Sequence, residues 1–226
     1  MEKLFVENKI ILSKEQEEKF NLYYELLNFY NNQFNITAIT EKEEVYKKHF
    51  IDSLLGLDKI IGKEQLDIGS GGGFPAIPIK IMNKSINLTM LEATGKKCEF
   101  LKTVVKELKL ENVRVINDRA ENLAKDNNFR EKFDVVTARA VARLNILSEY
   151  CLPFVKVKGR FVSYKGDAIE EVNEGKSAIS ILGGKILETK EYELYGAKRT
   201  LVVIEKEKST DIKYPRSNGV IRKKPL

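Results

Sequence analysis

Three glycines in alternate positions, Asp67-x-Gly69-x-Gly71-x-Gly73, interrupt an apolar run that reads LDIGSGGGFPAIPIKI from residue 66 to 81. Glycine-rich turns between a strand and a helix wrap nucleotides, because a missing Cβ lets the backbone approach a ligand closely. The dinucleotide fingerprint needs glycine at its first, third and sixth places, and counted from Gly69 the sixth place is Phe74. A pyrophosphate also rests on free N–H groups at a helix start. Here the helix is expected to begin at Pro75, which has no N–H, while Phe74 puts bulk where a phosphate would approach. A P-loop is excluded because no Gly-Lys-Ser/Thr follows at the required spacing.

A ligand without phosphates suits this loop better. S-adenosylmethionine needs close backbone approach for its amino-acid and ribose portions, apolar contact beside its sulfonium, and an acid for its two ribose hydroxyls. Glu92 ends the next apolar run, 23 residues after Gly69, where parallel-sheet topology brings it beside the loop. A third run ends at Asp118, followed by Arg119, Ala120 and Glu121, in the usual neighbourhood of an adenine.

The elements that must hold these residues follow from periodicity. Ser13 with Gln16 is a capping-box start, and Leu22, Leu26, Leu27 and Tyr30 then recur at helical spacing. Thr40 with Glu43 reads as a second capping box, opening a helix through Val45, His49, Asp52 and Leu55. Residues 1–62 are thus expected to be helical, with NITAI the one candidate strand. From residue 65 strands and helices alternate: QLDIG, NLTMLEA, VRVIN, FDVVTA and RFVSYKG are separated by helical stretches. GKILETKEYEL and RTLVVIEK then follow with only YGAK between them, a hairpin. Alternation argues for a parallel sheet covered on both faces. A final antiparallel hairpin is unusual for NAD-binding folds and ordinary in Rossmann-like methyltransferases. The expected architecture is therefore α/β, a Rossmann-like class I methyltransferase with a mostly parallel seven-stranded sheet. Its parts are a helical extension (1–62), a main domain (63–208) and a basic tail (209–226).

Bulk properties narrow the setting. Lysine and arginine exceed acids by 39 to 33, a net charge of +6. The last fourteen residues, KYPRSNGVIRKKPL, hold Lys213, Arg216, Arg222, Lys223 and Lys224 and no acid, which suits phosphate contact or a simple solvated tail. Two cysteines are too few for a disulfide framework or a zinc site, and no metal is expected. No run approaches the roughly 18 apolar residues of a membrane span, and no signal peptide is visible, so the cytoplasm is expected. Nothing in the pattern suggests more than a monomer.

Several stretches, in this order and spacing, resemble the glucose-inhibited division protein B family: NITAI then HFIDSL, LDIGSGGGFPAIPIKI, RAE, TARAVA, SYKG, KRTLVVIEK and YPR…KKPL. The similarity runs from about residue 15 to the C-terminus. These are bacterial 16S ribosomal RNA guanine-N7 methyltransferases. The resemblance implies S-adenosylmethionine held near Asp67, Gly69, Gly71, Gly73, Phe74, Glu92, Ala93, Thr94, Ala120, Glu121 and Arg139. The partner it implies is 16S rRNA or a small-subunit particle. Lys165, Arg199, Arg216, Arg222, Lys223 and Lys224 are the expected RNA contacts, and Arg139 and Lys165 the expected positioning residues. One departure is visible: relatives commonly have proline shortly after the tail glycine, whereas Gly219 is followed by Val220 and Ile221.

The chemistry agrees with this acceptor. Methylation at a pyrimidine C5 needs a cysteine nucleophile, and neither Cys98 nor Cys151 sits in a Pro-Cys loop. Exocyclic amines meet an Asn/Asp-Pro-Pro-aromatic segment after the fourth strand, where this chain has Thr137-Ala138-Arg139-Ala140. Guanine N7 carries its lone pair in the ring plane, so positioning and desolvation suffice and no general base is expected. Arg139, just past the fourth strand, could hold the cofactor carboxylate or an RNA phosphate, and Lys165 could reach RNA or the base's O6. His49, the one histidine, shares a helix face with Asp52 and is expected to fix the N-terminal helices against the sheet. Tyr23, Tyr24, Phe29, Tyr30 and Phe34 at helical spacing read as core, and Lys96, Lys97, Lys102, Lys106 and Lys109 as a mostly solvated face. The other readings are a methyltransferase for a small molecule or protein, and a non-catalytic nucleotide- or RNA-binding regulator.

Overall fold

Seven apolar runs become seven strands: β1 (Glu64–Ile68), β2 (Asn87–Glu92), β3 (Val113–Asn117), β4 (Phe133–Arg139), β5 (Val155–Lys165), β6 (Gly184–Leu194) and β7 (Ala197–Lys206). In the computed structural model, which describes residues 1–226, they form one sheet in the order β3-β2-β1-β4-β5-β7-β6. β1 to β5 run parallel, and β7 lies antiparallel between β5 and β6. The order reverses at β1, so the loops after β1, β2 and β4 open into one crevice at the carboxyl edge. The hairpin turn is tighter than YGAK: only Tyr195 and Gly196 lie outside the strands, with φ of 51° and 77°. Two successive positive φ values match the right-handed twist of the flanking strands.

Helices cover both faces. The chain runs through α1 (Glu2–Glu7), α2 (Lys14–Phe34), α3 (Lys42–Val45), a π-helical stretch Tyr46–Ile51 and α4 (Asp52–Leu54) before reaching the sheet. Beyond it lie α5 (Ala76–Met82), α6 (Gly95–Glu107), α7 (Ala120–Leu123), α8 (Leu144–Cys151), α9 (Ile169–Ile181) and α10 (Asn218–Lys223). Leu66, Ile68, Val136, Ala138, Phe161 and Val202 pack with α7, α8 and α9 on one face. On the other, Leu88 and Met90 join Phe20, Tyr23, Phe50, Ile77 and Phe100 from the N-terminal helices, α5 and α6. Because strand side chains alternate, Gln65, Asp67 and Thr137 fall on this second face and are completely buried. Thr137 Oγ1 accepts from Gln65 Nε2 at 3.4 Å and donates to Asp67 Oδ1 at 2.7 Å.

Four expectations need correction. The capping box at Ser13 and Gln16 forms, but the one at Thr40 and Glu43 does not. Glu41 caps that helix instead, accepting from the Glu44 N–H at 2.9 Å, so the helix starts one residue later. NITAI makes no strand, since Asn35 takes a left-handed conformation (φ 49°) and Thr37 N bonds the Asn31 side chain. Pro75 is the residue before α5, not its first.

The fourth correction concerns the tail, which is docked rather than solvated. Arg130 donates to the carbonyls of Thr210 and Tyr214, both at 2.8 Å, and Ile221 is fully buried. Arg216 lays its guanidinium along Glu149 through Nε–Oε1 at 2.9 Å and Nη2–Oε2 at 2.7 Å, and its backbone N–H donates to the same carboxylate at 2.8 Å. Glu149 is wholly buried, so Arg216 neutralises an interior charge and is not the expected RNA contact. Removing one partner of such a pair strands the other, at a cost of about 3 kcal/mol. Arg216→Ala should lower unfolding free energy in urea by about that amount, and adding Glu149→Gln should restore part of it. A loss under about 1 kcal/mol, the level of an exposed pair, would show that the carboxylate is solvated.

Candidate active site

Glycine conformations shape the loop after β1. Gly69 and Gly73 have φ of 69° and 91°, and a Cβ on Gly73 would lie 2.5 Å from Ile77 Cδ1 and 2.6 Å from the Tyr23 hydroxyl. All of the loop's N–H groups from Gly69 to Phe74 but that of Gly72 are already committed. Gly69 and Ser70 donate to the Leu91 carbonyl at 2.8 and 3.2 Å, and Gly73 and Phe74 to the Ser70 carbonyl at 2.6 and 3.3 Å. Gly71 donates to Glu92 Oε2 at 2.8 Å. A phosphate would find a single free donor and no tolerable neighbour here, since a buried carboxylate occupies the place of the anion.

Glu92 also accepts the Thr94 N–H on Oε1 at 2.8 Å, so each carboxylate oxygen holds one backbone donor and keeps a lone pair for another. Two neighbouring hydroxyls of a ribose fit that demand. Asp67, two residues before Gly69, is fully buried with Oδ2 unpartnered. Burial pushes its carboxyl up to about 7, against the pull of the Thr137 and Ser70 hydroxyls and the Arg139 charge. Asp67 lines neither of the clefts described below, and its unpartnered oxygen is enclosed beneath the loop. Next to these lies a cleft of about 120 Å³ lined by Gly69, Leu91, Ala93, Ala120, Glu121 and Val141 among others. Glu92 and this cleft therefore fit the ribose and adenine portions of S-adenosylmethionine.

Phe74 lies apart from that cleft. Its ring stacks on His49 at 4.5 Å and tilts against Tyr23 at 5.5 Å, with the Arg139 guanidinium 5.0 Å from its centroid. Only the Phe74 backbone remains available to a cofactor. Tyr23, whose spacing marked it as core, also donates its hydroxyl to the Gly72 carbonyl, which no sequence signal foretold.

Arg139, the last residue of β4, faces a second cleft of about 280 Å³ with Lys48, His49, Asp52, Lys165 and Arg199. Its Nη1 donates to the Lys48 carbonyl and to Asp52 Oδ2, both at 3.1 Å, and its Nη2 donates to His49 Nδ1 at 3.1 Å. His49 Nδ1 lies 3.1 Å from the Lys48 carbonyl as well, so one of its neighbours calls for a lone pair and the other for an N–H, while Nε2 and Thr37 Oγ1 meet at 2.8 Å. Burial and the Arg139 charge push the imidazole down to about 3, which keeps it neutral and unfit as a base near neutrality. The expected His49–Asp52 face exists, and Arg139 joins the two. Asp52 also accepts from Arg199 Nε and the Tyr192 hydroxyl, each at 3.3 Å. Lys165 lines this cleft but donates to the Ala142 carbonyl and pairs with Glu171, so its ammonium is neutralised rather than offered to RNA. Burial pushes both thiols, Cys98 and Cys151, upward, which leaves no nucleophile.

The two clefts adjoin along the backbone, since Ala140 lines the second and Val141 the first. Arg222 and Asn218, from the tail, border the first, whereas Lys223 and Lys224 are exposed. Lys96, Lys102 and Lys106 on α6, and Lys109 just beyond it, are exposed as well.

This sheet order, with a glycine loop after β1 and an acid ending β2, defines a class I methyltransferase that uses S-adenosylmethionine. A precorrin-6y C5,15-methyltransferase from Geobacter metallireducens shares the fold, with a TM-score of 0.54 and 15% identity over 68% of this chain and 88% of that one. Residues 16–202 match the model of the family described as GidB, rRNA small subunit methyltransferase G. The chain is 44% identical to the ribosomal RNA small subunit methyltransferase G of Lactobacillus helveticus, covering 97% of this chain and 95% of that one. It is 46% identical to the enzyme of the same name from Clostridium botulinum, over 95% and 92%. The chain belongs to the GidB family of rRNA small subunit methyltransferases.

Asp67 and His49 give stability opposite pH slopes. An unfolded aspartate titrates near 3.9, so the folded carboxyl holds its proton across the window up to about 7 and Asp67 makes stability fall as pH rises there. An unfolded histidine titrates near 6.5, so the unfolded chain holds the extra proton down to about 3 and His49 makes stability rise with pH. Asp67→Asn deletes the first contribution. Urea unfolding should show the variant gaining about 2 kcal/mol on the native chain between about pH 5 and 7. A gap that stays constant with pH would contradict the buried, protonated Asp67.

Proposed function

We propose that this chain transfers a methyl group from S-adenosylmethionine to N7 of a guanine in 16S rRNA, acting on the RNA or a small-subunit particle in the cytoplasm. One observation carries the reading: a cleft fitted to the methyl donor adjoins, across Ala140–Val141, a cleft lined by Arg139 and Arg199 whose one histidine is held neutral and which holds no cysteine. When bound, S-adenosylmethionine supplies an electrophilic methyl on a sulfonium, open to in-line displacement by an in-plane nitrogen. Gly69, Gly71, Gly73, Ala93 and Thr94 bring backbone to the donor. Glu92 takes its ribose hydroxyls, and Ala120 with Glu121 its adenine end. Guanine N7 needs no proton removed, so the protein's task is to orient the base and exclude water.

Arg139 and Arg199 are donors suited to a purine O6 or a phosphate oxygen. Asp52, buried between them, offsets charge as the positive charge moves from sulfonium to purine. Arg199, Lys223, Lys224 and the exposed lysines of α6 contact RNA phosphates, which do not specify sequence. No helix of the chain is long and apolar enough to cross a membrane.

Mass spectrometry of rRNA from cells lacking the gene tests this reading. One 7-methylguanosine should disappear from 16S rRNA, and an unchanged modification profile overturns the proposal. Arg139→Ala should lower kcat/KM on small-subunit RNA by about a hundredfold, the scale of a misplaced acceptor, while leaving methyl-donor affinity within a few-fold. An unchanged kcat/KM would remove Arg139 from the acceptor site.

A further inference from the structure

We infer that the C-terminal helix α10 is a wall of the methyl-donor cleft, and that Arg222, with Asn218, binds the adenosyl end of the donor. This rests on the reading of that cleft as the S-adenosylmethionine site. Charge alone placed Arg222 with the RNA-binding tail, and its position in the fold places it elsewhere.

The geometry begins with the anchoring of the tail. The Arg216 fork on buried Glu149 and the fully buried Ile221 fix α10 against α8. One residue after Glu149, the Tyr150 hydroxyl donates to Asn218 Oδ1 at 2.6 Å. These bonds hold Asn218 and Arg222, four residues and so about one helical turn apart, along the same cleft. Across it lie Asp118, Ala120 and Glu121, the segment that follows β3.

The side-chain chemistry matches an adenosyl group. With Oδ1 occupied by Tyr150, the Asn218 amide keeps both Nδ2 hydrogens as donors, and adenine ring nitrogens and ribose oxygens are acceptors. Arg222 forms no ion pair; its guanidinium lies near the Tyr150 phenol, where its charge opposes the upward push of burial on that group. A planar cation with an open face stacks on a purine. The cleft is otherwise lined on this side by apolar groups and small residues, among them Ile68, Leu91, Ala93 and Val141, which suit the ring's flat faces. A tail that closes the cofactor cleft has reason to be pinned through an interior ion pair, whereas one serving only as an electrostatic tether does not.

Isothermal titration of the full-length chain with S-adenosylmethionine and, separately, with adenosine tests the assignment. Arg222→Ala should weaken both ligands by about tenfold, because the contact is to the part they share. Arg222→Lys, which keeps the charge and loses the plane, should fall between the native chain and the alanine variant. Arg222 is exposed, so both variants should melt with the native chain. Affinities within twofold of native for Arg222→Ala, or a loss confined to S-adenosylmethionine with adenosine unaffected, would overturn the assignment. A native chain that binds neither ligand would overturn the reading of the cleft itself, and this inference with it.

Discussion

The stack on the Phe74 ring joins three parts of the molecule that are remote in sequence. His49 comes from the π-helical stretch, Tyr23 from α2 and Arg139 from the end of β4, and all pack on a residue of the glycine loop. Aromatic and cation contacts of this kind each contribute on the order of 1 kcal/mol. Their larger consequence is geometric. The Tyr23 hydroxyl, held by the same packing, bonds the Gly72 carbonyl, so the N-terminal helices set the shape of the loop that approaches the methyl donor. The helical extension is therefore part of the active site.

Charge is arranged around the same stack. Asp52 is buried between Arg139 and Arg199, and His49 is held neutral by burial and by the neighbouring Arg139 charge. The outcome is a polar cleft whose histidine is unfit as a base near neutral pH, which suits the proposed acceptor nitrogen with its lone pair already free. On the donor side, Glu92 does two tasks with one carboxylate. It fixes Gly71 and Thr94, and it keeps a lone pair on each oxygen for a ligand. Its negative charge in the place of a phosphate also separates this loop from the dinucleotide loops it superficially resembles.

Much of the sheet was legible in the sequence, because apolar runs separated by amphipathic helices admit few topologies and a connection as short as YGAK forces a hairpin. Glu92 and the glycines could be found for the same reason: strand ends at fixed spacing must meet. What could not be read was which polar atoms meet across long separations. Tyr23 sits at a spacing that serves a core residue equally well, and nothing local announces the Gly72 carbonyl as its partner. The tail misled for a related reason. Its charge suggested RNA, but Glu149, the buried partner of Arg216, lies within LSEYC, a helix that reads as apolar. The second capping box failed by one residue, since Glu41 competes with Thr40 for the same helix start.

The central claim is that the N-terminal helices hold the methyl-donor loop in its working shape, and Tyr23→Phe addresses it with the loss of one oxygen. Methyl-donor affinity of the purified full-length variant, measured by titration beside its unfolding free energy, is the direct readout. The unpartnered Gly72 carbonyl should cost about 1–2 kcal/mol of stability, with the ring packing retained. Affinity for S-adenosylmethionine should fall by about tenfold. An affinity within twofold of native, at any stability, would contradict the claim and return the helical extension to the role of a simple cover.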